Sequence, residues 1–549
     1  MATAEKSLKE NVMKYTIPII LLLAMAATSC NKMLDEKVVT NVTDEFYNTK
    51  AGFQTAVTGS YVSMRVFYST ERGMTLTETG TDIYTNGSDG DFKFTSQYSS
   101  QLDSRYAHTR EVWNSFYQTI NTCNVVVDRA AKIADLDDAT RTKGVAEAKF
   151  CRAHYHFILM EMFGAIPLRL NENAAIVTES HRDSVSAIYD AVIADLLAAE
   201  KDLPNTQSEW GRATKPAAEH LLARVYLTRA SSPQAKPTDY ADAAKYADMV
   251  IKNYSFQLLD DPGKVWAQGN ENNAETVFAA QYTTDPLYGY ADNNACRFFL
   301  MQYDVLKGMK RDLPNGTPWK RFRPTKFLID TLYKDRTYDT RYEKFYTRTW
   351  FTNAPIDNLK AGDTAVYLPG YDVTDAQIAA KPYMLVPPRL YTEKLYPSLN
   401  KFADALRPDN QASGVRPFIV FRLAETYLIK AEALMMTGDK QGAADAVSVV
   451  RMRAARPGAN LAETQANRDA MKVGPADMTI DFILDERGRE LVGEQLRWFD
   501  LTRTKKLVER VQLHNEQARA NIRHTHMLRP IPQDQIDRSS TPFPQNPGY

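Results

Sequence analysis

The chain has few of the residues that carry chemistry. Its 549 residues include only four cysteines, Cys30, Cys123, Cys151 and Cys296, and none stands in a CxxC or other metal-ligand spacing. Cys123 and Cys151 fall inside helical patterns and read as small core residues. An excess of either charge is missing too: Lys plus Arg and Asp plus Glu both number 67. That balance removes the basic footprint of a nucleic-acid binder. GxSxG, HExxH, P-loop and GxGxxG patterns are absent from any context that would give them meaning, so no cofactor is implied. Long hydrophobic runs are absent beyond residue 27, and no later stretch reads as a membrane span.

The one such run lies near the start. From Met13, which reads as the better initiator, a positive Lys14 precedes the apolar stretch Ile17–Ala27. That is the layout of an export signal, and it is too short to stay in a bilayer as a helix. It ends Ala27-Thr28-Ser29-Cys30, small residues directly before a cysteine, as in a bacterial lipobox. Residues 1–29 are therefore expected to be a signal peptide and 30–45 a tether lipidated at Cys30. Acyl chains stabilise membrane attachment by about 0.8 kcal/mol per buried methylene, so two or three hold firmly.

Apolar spacing places the scaffold in helices. In Ala146–Leu170, Ala148, Cys151, Tyr155, Ile158 and Met162 share one face, while Phe157, Leu159, Met160 and Phe163 fill the opposite one. Such a helix is buried all round, with Gly164 placed to end it. His154 and His156 stand two apart, point to different faces, and read as structural. Val112–Ala134 precedes it, with Trp113, Phe116, Ile120, Cys123 and Val127 on its apolar face. Residues 217–251 and 423–454 each read as a helix opening Ala-Glu, a turn, and a second helix carrying Ala-Ala. Small residues facing large ones let helices pack closely, as in tetratricopeptide-type pairs. Ser184–Leu203 is expected to supply a third such pair. The chain thus divides into a helical scaffold over 46–254, a loop-rich ligand-facing region over 255–420, and a C-terminal scaffold with a Pro-rich extended tail over 421–549. Val277–Tyr282 and Phe418–Arg422 read as short strands.

Irregular, aromatic sequence marks the candidate site. A sugar presents an apolar face and a ring of hydroxyls, which suits flat aromatic rings beside Asn, Asp and Arg. One such mixture, in a loop over 66–108, comprises Tyr68, Asp82, Tyr84 and Asn86. The other comprises Tyr288, Tyr290, Asn293 and Asn294, then Trp319 and Arg321 beyond a Pro-Gly turn. No catalytic residue is assigned. Glu486 and Glu490 are spaced as a carboxylate pair that a glycosidase would need, but within DERGRE they read as a solvated or ion-paired helix face.

Several stretches together resemble the SusD/RagB family: the signal ending at Cys30, FCRAHYHFILMEMFGAIPL, Arg323-Pro324-Thr325, FRLAETYLIKAEAL, ILDERGRELVGEQLRWFDLTR, and RPIPQDQI through QNPGY. The resemblance implies a mostly α fold of four tetratricopeptide-like helical pairs supporting a loop-rich, irregular ligand face. It also implies a surface-exposed, lipid-anchored outer-membrane protein of Bacteroidetes, without catalysis or cofactor. Such a protein captures oligosaccharide and delivers it to a SusC-like TonB-dependent transporter. The RagB branch implies the alternative of a peptide ligand. The DERGREL and RWFDLTR motifs read as scaffold.

Overall fold

The computed structural model describes residues 44–173, 175, 178–283, 292–410 and 412–549. Cys30, Tyr288 and Tyr290 lie outside the described residues. The scaffold is a row of helices: α1 (Lys50–Gly59), α2 (Glu71–Thr77), α3 (Ala107–Arg129), α4 (Asp138–Phe163), α5 (Val185–Asp202), α6 (Lys215–Ala230) and α7 (Asp239–Lys252). After the insertion come α8 (Leu423–Met436), α9 (Lys440–Arg453), α10 (Ile480–Glu490), α11 (Arg497–Arg503) and α12 (Leu507–His514). From α3 to α9 each helix packs on the next, and α7 passes directly to α8 although the insertion separates them in sequence. The expected pairs over 217–251 and 423–454 are α6/α7 and α8/α9. Ser184–Leu203, expected as a pair, is the single helix α5, and its partners are α4 and α6.

Local chemistry sets the helix ends. Asp137 caps α4 by accepting the Thr140 N–H at 2.8 Å, and Ser184 caps α5 through Ala187. At the far end of α4, Gly164 takes φ +73°, a conformation that costs other residues strain. A Cβ there would sit 3.2 Å from Leu528 of the C-terminal tail. Residues 150–160 of α4 are buried without a break, because helices and tail enclose that stretch on every side. His154 accepts or donates at 2.9 Å with the Tyr68 hydroxyl, and the His156 ring meets the Arg152 carbonyl at 3.1 Å. Both histidines are structural.

The insertion is held by short strands. β1 (Tyr84–Asn86) pairs antiparallel with β3 (Phe322–Pro324), and β2 (Thr276–Ala280) with β9 (Phe418–Arg422). The two strands read from sequence near 277 and 418 are thus partners, and they bring the two ends of the insertion together. β4 (Tyr346–Thr347) pairs with β8 (Ser398–Leu399). β5 (Thr349–Phe351), β6 (Thr364–Tyr367) and β7 (Met384–Leu385) form a three-stranded sheet. The 66–108 stretch departs from its expected form. It holds α2, β1 and a short helix, and most of it is buried rather than displayed.

Where insertion and scaffold meet, charge is buried. Glu486 and Glu490 of α10 are both fully enclosed. Glu490 accepts from Arg341 at 3.2 Å, from Arg422 at 2.8 Å and from Arg453. Glu486 accepts from Arg341 and Arg489 at 2.6 Å and from Arg451 at 2.8 Å. Arg422, at the join of β9 and α8, also reaches Glu275 at 2.7 Å and Glu494 at 2.7 Å. The DERGRE face is therefore ion-paired but not solvated.

This arrangement makes the fold acid-labile. Burial alone would raise the Glu490 carboxyl, but the Arg453, Arg422 and Arg341 charges outweigh it and hold it at about 2. A carboxylate depressed on folding contributes stability above its unfolded value, about 4.3, and loses it as pH falls towards the folded value. His154 and His156 act in the same direction: burial lowers both to about 3, so protonating them below about 6.5 favours unfolding. Burial raises the carboxyls of Glu78 and Glu161 to about 8 and about 7, which offsets the histidines at mildly acid pH. Melting temperature is therefore expected to fall chiefly between about pH 4.3 and about pH 3. A flat profile over that range would contradict the network.

Candidate functional site

Most of the residues singled out from sequence serve the interior. Tyr68, Asp82, Tyr84, Asn86 and Asn293 are all nearly inaccessible. Asp82 receives two hydrogen bonds from Arg497, at 2.8 and 2.6 Å, and one from Arg510 at 2.7 Å. Burial pushes its carboxyl up, yet the two guanidinium groups hold it well below the usual range. Tyr84 meets Tyr346 hydroxyl to hydroxyl at 3.0 Å. Tyr68 stacks on Phe418 with centroids 5.5 Å apart. Asn86 accepts from Gln97 at 3.3 Å. Asn293 accepts from Ser69 at 2.5 Å and donates to the Arg416 carbonyl at 2.9 Å. As side chains offered to a ligand Tyr68, Asp82 and Tyr84 are corrected to scaffold, while Asn86 and Asn293, buried as well, each border a small cavity. Their polar atoms satisfy buried backbone and charge, a use that composition alone does not distinguish from display.

Trp319 and Arg321 remain half-buried, and β3 positions them. The chain before β3 is laid against two neighbours. Trp319 N–H donates to the Arg297 carbonyl at 3.0 Å, and Arg321 N–H to Phe298 at 2.9 Å. On the other side Gly87 N–H donates to the Arg321 carbonyl at 2.9 Å, and Asp89 N–H to Lys320 at 3.3 Å. The close approach requires glycine at 87, where a Cβ would stand 2.2 Å from the Lys320 carbonyl oxygen. Lys320 itself takes φ +49°, turning the chain between the two side chains.

The result is a charged aromatic shelf. Trp319 packs on Phe298 with centroids 5.6 Å apart, and the guanidinium carbons of Arg297 and Arg321 lie 5.1 and 5.3 Å from its ring centroid. The indole is thus no bare platform, since cation–π contacts occupy part of it. Arg321 is pinned by Glu71 at 3.0 Å and Asp89 at 3.3 Å, and Lys320 reaches Asp89 at 3.6 Å. Burial raises the Glu71 carboxyl, against the opposing charge of Arg321. Beside them a shallow cleft is lined by Glu71, Asn86, Asp89, Phe92, Lys93 and Arg321. Asp89, Glu71, Lys320 and Phe92 were not picked out from sequence. The signal for them was the turn TNGSDGD, whose glycines let the 86–90 loop close on residues 320 and 321.

The shelf offers fixed donors, carboxylate acceptors and aromatic edges, which is binding chemistry. Among the described residues no group of three His, Cys, Asp or Glu is placed to hold a metal ion. The carboxylate pair at Glu486 and Glu490 is sealed in its arginine network, so no substrate reaches it. No helix among the described residues is long and apolar enough to cross a membrane.

Two family profiles match. That of the SusD family covers residues 262–549, and one described as "Starch-binding associating with outer membrane" covers residues 32–227. The chain is 27% identical to SusD-like protein P2 of Formosa agariphila, across 98% of this chain and 100% of that one. Among solved structures it is similar to a laminarin-binding SusD-like protein, with TM-score 0.67, 22% identity, and 91% and 100% of the two chains covered. It is also similar to surface glycan-binding protein A of Bacteroides fluxus, with TM-score 0.66, 21% identity, and coverage of 91% and 99%. At these identities the structural likeness establishes the mostly α fold.

Proposed function

From the premise that the chain belongs to the SusD family, we propose that it is a surface glycan-binding lipoprotein, not an enzyme. It captures oligosaccharides and hands them to a SusC-like TonB-dependent transporter of the outer membrane. The observation that carries this reading is the Trp319 shelf: an aromatic ring held between guanidinium groups, beside carboxylates that accept hydroxyl hydrogens. The laminarin-binding and glycan-binding neighbours support it, as does the family description that names starch. The anchor is Cys30, whose place after Ala27-Thr28-Ser29 suits lipidation. Tyr288 and Tyr290 remain ligand candidates alongside Trp319 and Arg321.

Calorimetry on the whole protein in detergent, against a panel of polysaccharides and peptides, tests the reading. One glycan class is expected to bind. Trp319→Ala should then weaken it by about tenfold, the loss of roughly 1–2 kcal/mol from one ring contact. Binding of peptides alone would favour the RagB-like alternative, and hydrolysis of a bound glycan would make the protein an enzyme.

A further inference from the structure

A second pocket lies beside the same ribbon. In the β1–β3 pair Asn86 faces Phe322 and Thr85 faces Arg323. Asn86 and Phe322 border the cleft and Thr85 and Arg323 the pocket, so the two are neighbouring sites on one ribbon. The second pocket is a cavity of about 50 Å³, room for a few waters or for the hydroxyl edge of a sugar ring.

Its chemistry is uncommitted. The Arg323 Nε–H is buried without an acceptor, and no carboxylate lies within 4.0 Å of that guanidinium among the described residues. This is unusual here, where most buried arginines hold carboxylates. Asp330 is exposed on the pocket wall, with no Lys or Arg within 4.0 Å among the described residues. It belongs to a π-helix, Phe327–Leu332, a rare geometry that often accompanies function. His514, Asn515 and a Lys326–Glu516 pair at 3.6 Å add to the polar lining, with the His514 ring lying flat on Phe327 at 3.7 Å between centroids. Pro388 and Tyr391 supply an apolar wall. Gln517 fixes another, accepting from Thr85 and donating to Glu393 at 2.8 Å.

We propose that this pocket is a second saccharide subsite, in which Arg323 donates to and Asp330 accepts from neighbouring hydroxyls of one sugar. A donor and an acceptor placed together, each lacking a protein partner, match a vicinal diol better than an anion, which Asp330 would repel. The inference rests on the glycan reading of the Trp319 shelf and extends it. A chain long enough to occupy both sites gains effective concentration for the second contact, whereas a short oligosaccharide binds at the shelf alone.

The test compares long and short chains of whichever glycan the whole protein retains, by affinity electrophoresis and calorimetry. Asp330→Asn and Arg323→Ala are each expected to weaken the polymer about tenfold. Affinity for the short oligosaccharide and the melting temperature should not change. Asp330 is exposed, so its variant keeps the test valid if Arg323→Ala folds poorly. Polymer affinity unchanged in Asp330→Asn, with Trp319→Ala still weakened, overturns the second subsite and leaves the shelf standing. If neither Asp330→Asn nor Trp319→Ala alters binding, the glycan reading of the shelf fails and the subsite fails with it.

Discussion

Glu490→Ala is expected to destabilise the protein by about 3–5 kcal/mol, enough to abolish most folded material. The carboxylate sits at full burial among Arg341, Arg422 and Arg453. Removing it takes a shared carboxylate from three buried guanidinium groups, which keep only Glu486 and Asp339, Glu275 and Glu494, and the excess positive charge left buried costs more than the lost hydrogen bonds. The insertion supplies Arg341, and Arg422 and Arg453 belong to the C-terminal scaffold. The variant is therefore expected to loosen the insertion as well as lower the melting temperature. Asp138→Asn is the matched control. Asp138 pairs with Arg141 at 2.5 Å but its side chain is 95% exposed, so its loss should cost at most about 1 kcal/mol. Urea unfolding of both variants checks the difference. Equal midpoints would show that the DERGRE network is not what joins the insertion to the frame.

The second large effect concerns the anchor. Cys30→Ala is expected to release the protein from the outer membrane into the soluble fraction without changing its fold. On the proposed lipidation, two or three acyl chains of about 0.8 kcal/mol per buried methylene hold the protein firmly, and among the described residues no helix is long and apolar enough to replace them. Fractionation after metabolic labelling with a tritiated fatty acid reads both outcomes. Continued membrane attachment of the variant, or label retained without Cys30, would remove the lipobox reading.

Sequence carried the frame further than the site, for a physical reason. Helix spacing is a local property, so α4, α6/α7 and α8/α9 were visible, and Gly164 stopped α4 where its backbone freedom was needed. The strands at 276–280 and 418–422 were visible as apolar runs. Their pairing was not, because register across the insertion is a long-range fact. Aromatic and polar residues in turn-rich sequence gave no such signal. Tyr68, Tyr84 and Asp82 have the composition of a glycan surface, yet they satisfy His154, Tyr346 and two arginines inside the fold. Burial of a polar side chain depends on partners far along the chain. Arg497 and Arg510 stand more than 400 residues from Asp82. Trp319 and Arg321, read as an aromatic ring and a hydrogen bonder beyond a Pro-Gly turn, stay half-buried rather than enclosed. The carboxylates that complete their shelf come from another segment altogether.

The most direct test of the glycan-binding account is calorimetric titration of the whole protein and its Trp319→Ala variant with the polysaccharide that the wild type retains from a broad panel. The account predicts saturable binding by the wild type, about tenfold weaker binding by the variant, and an unchanged ligand after prolonged incubation. Equal affinity of the two proteins, or conversion of the glycan to shorter products, would contradict it.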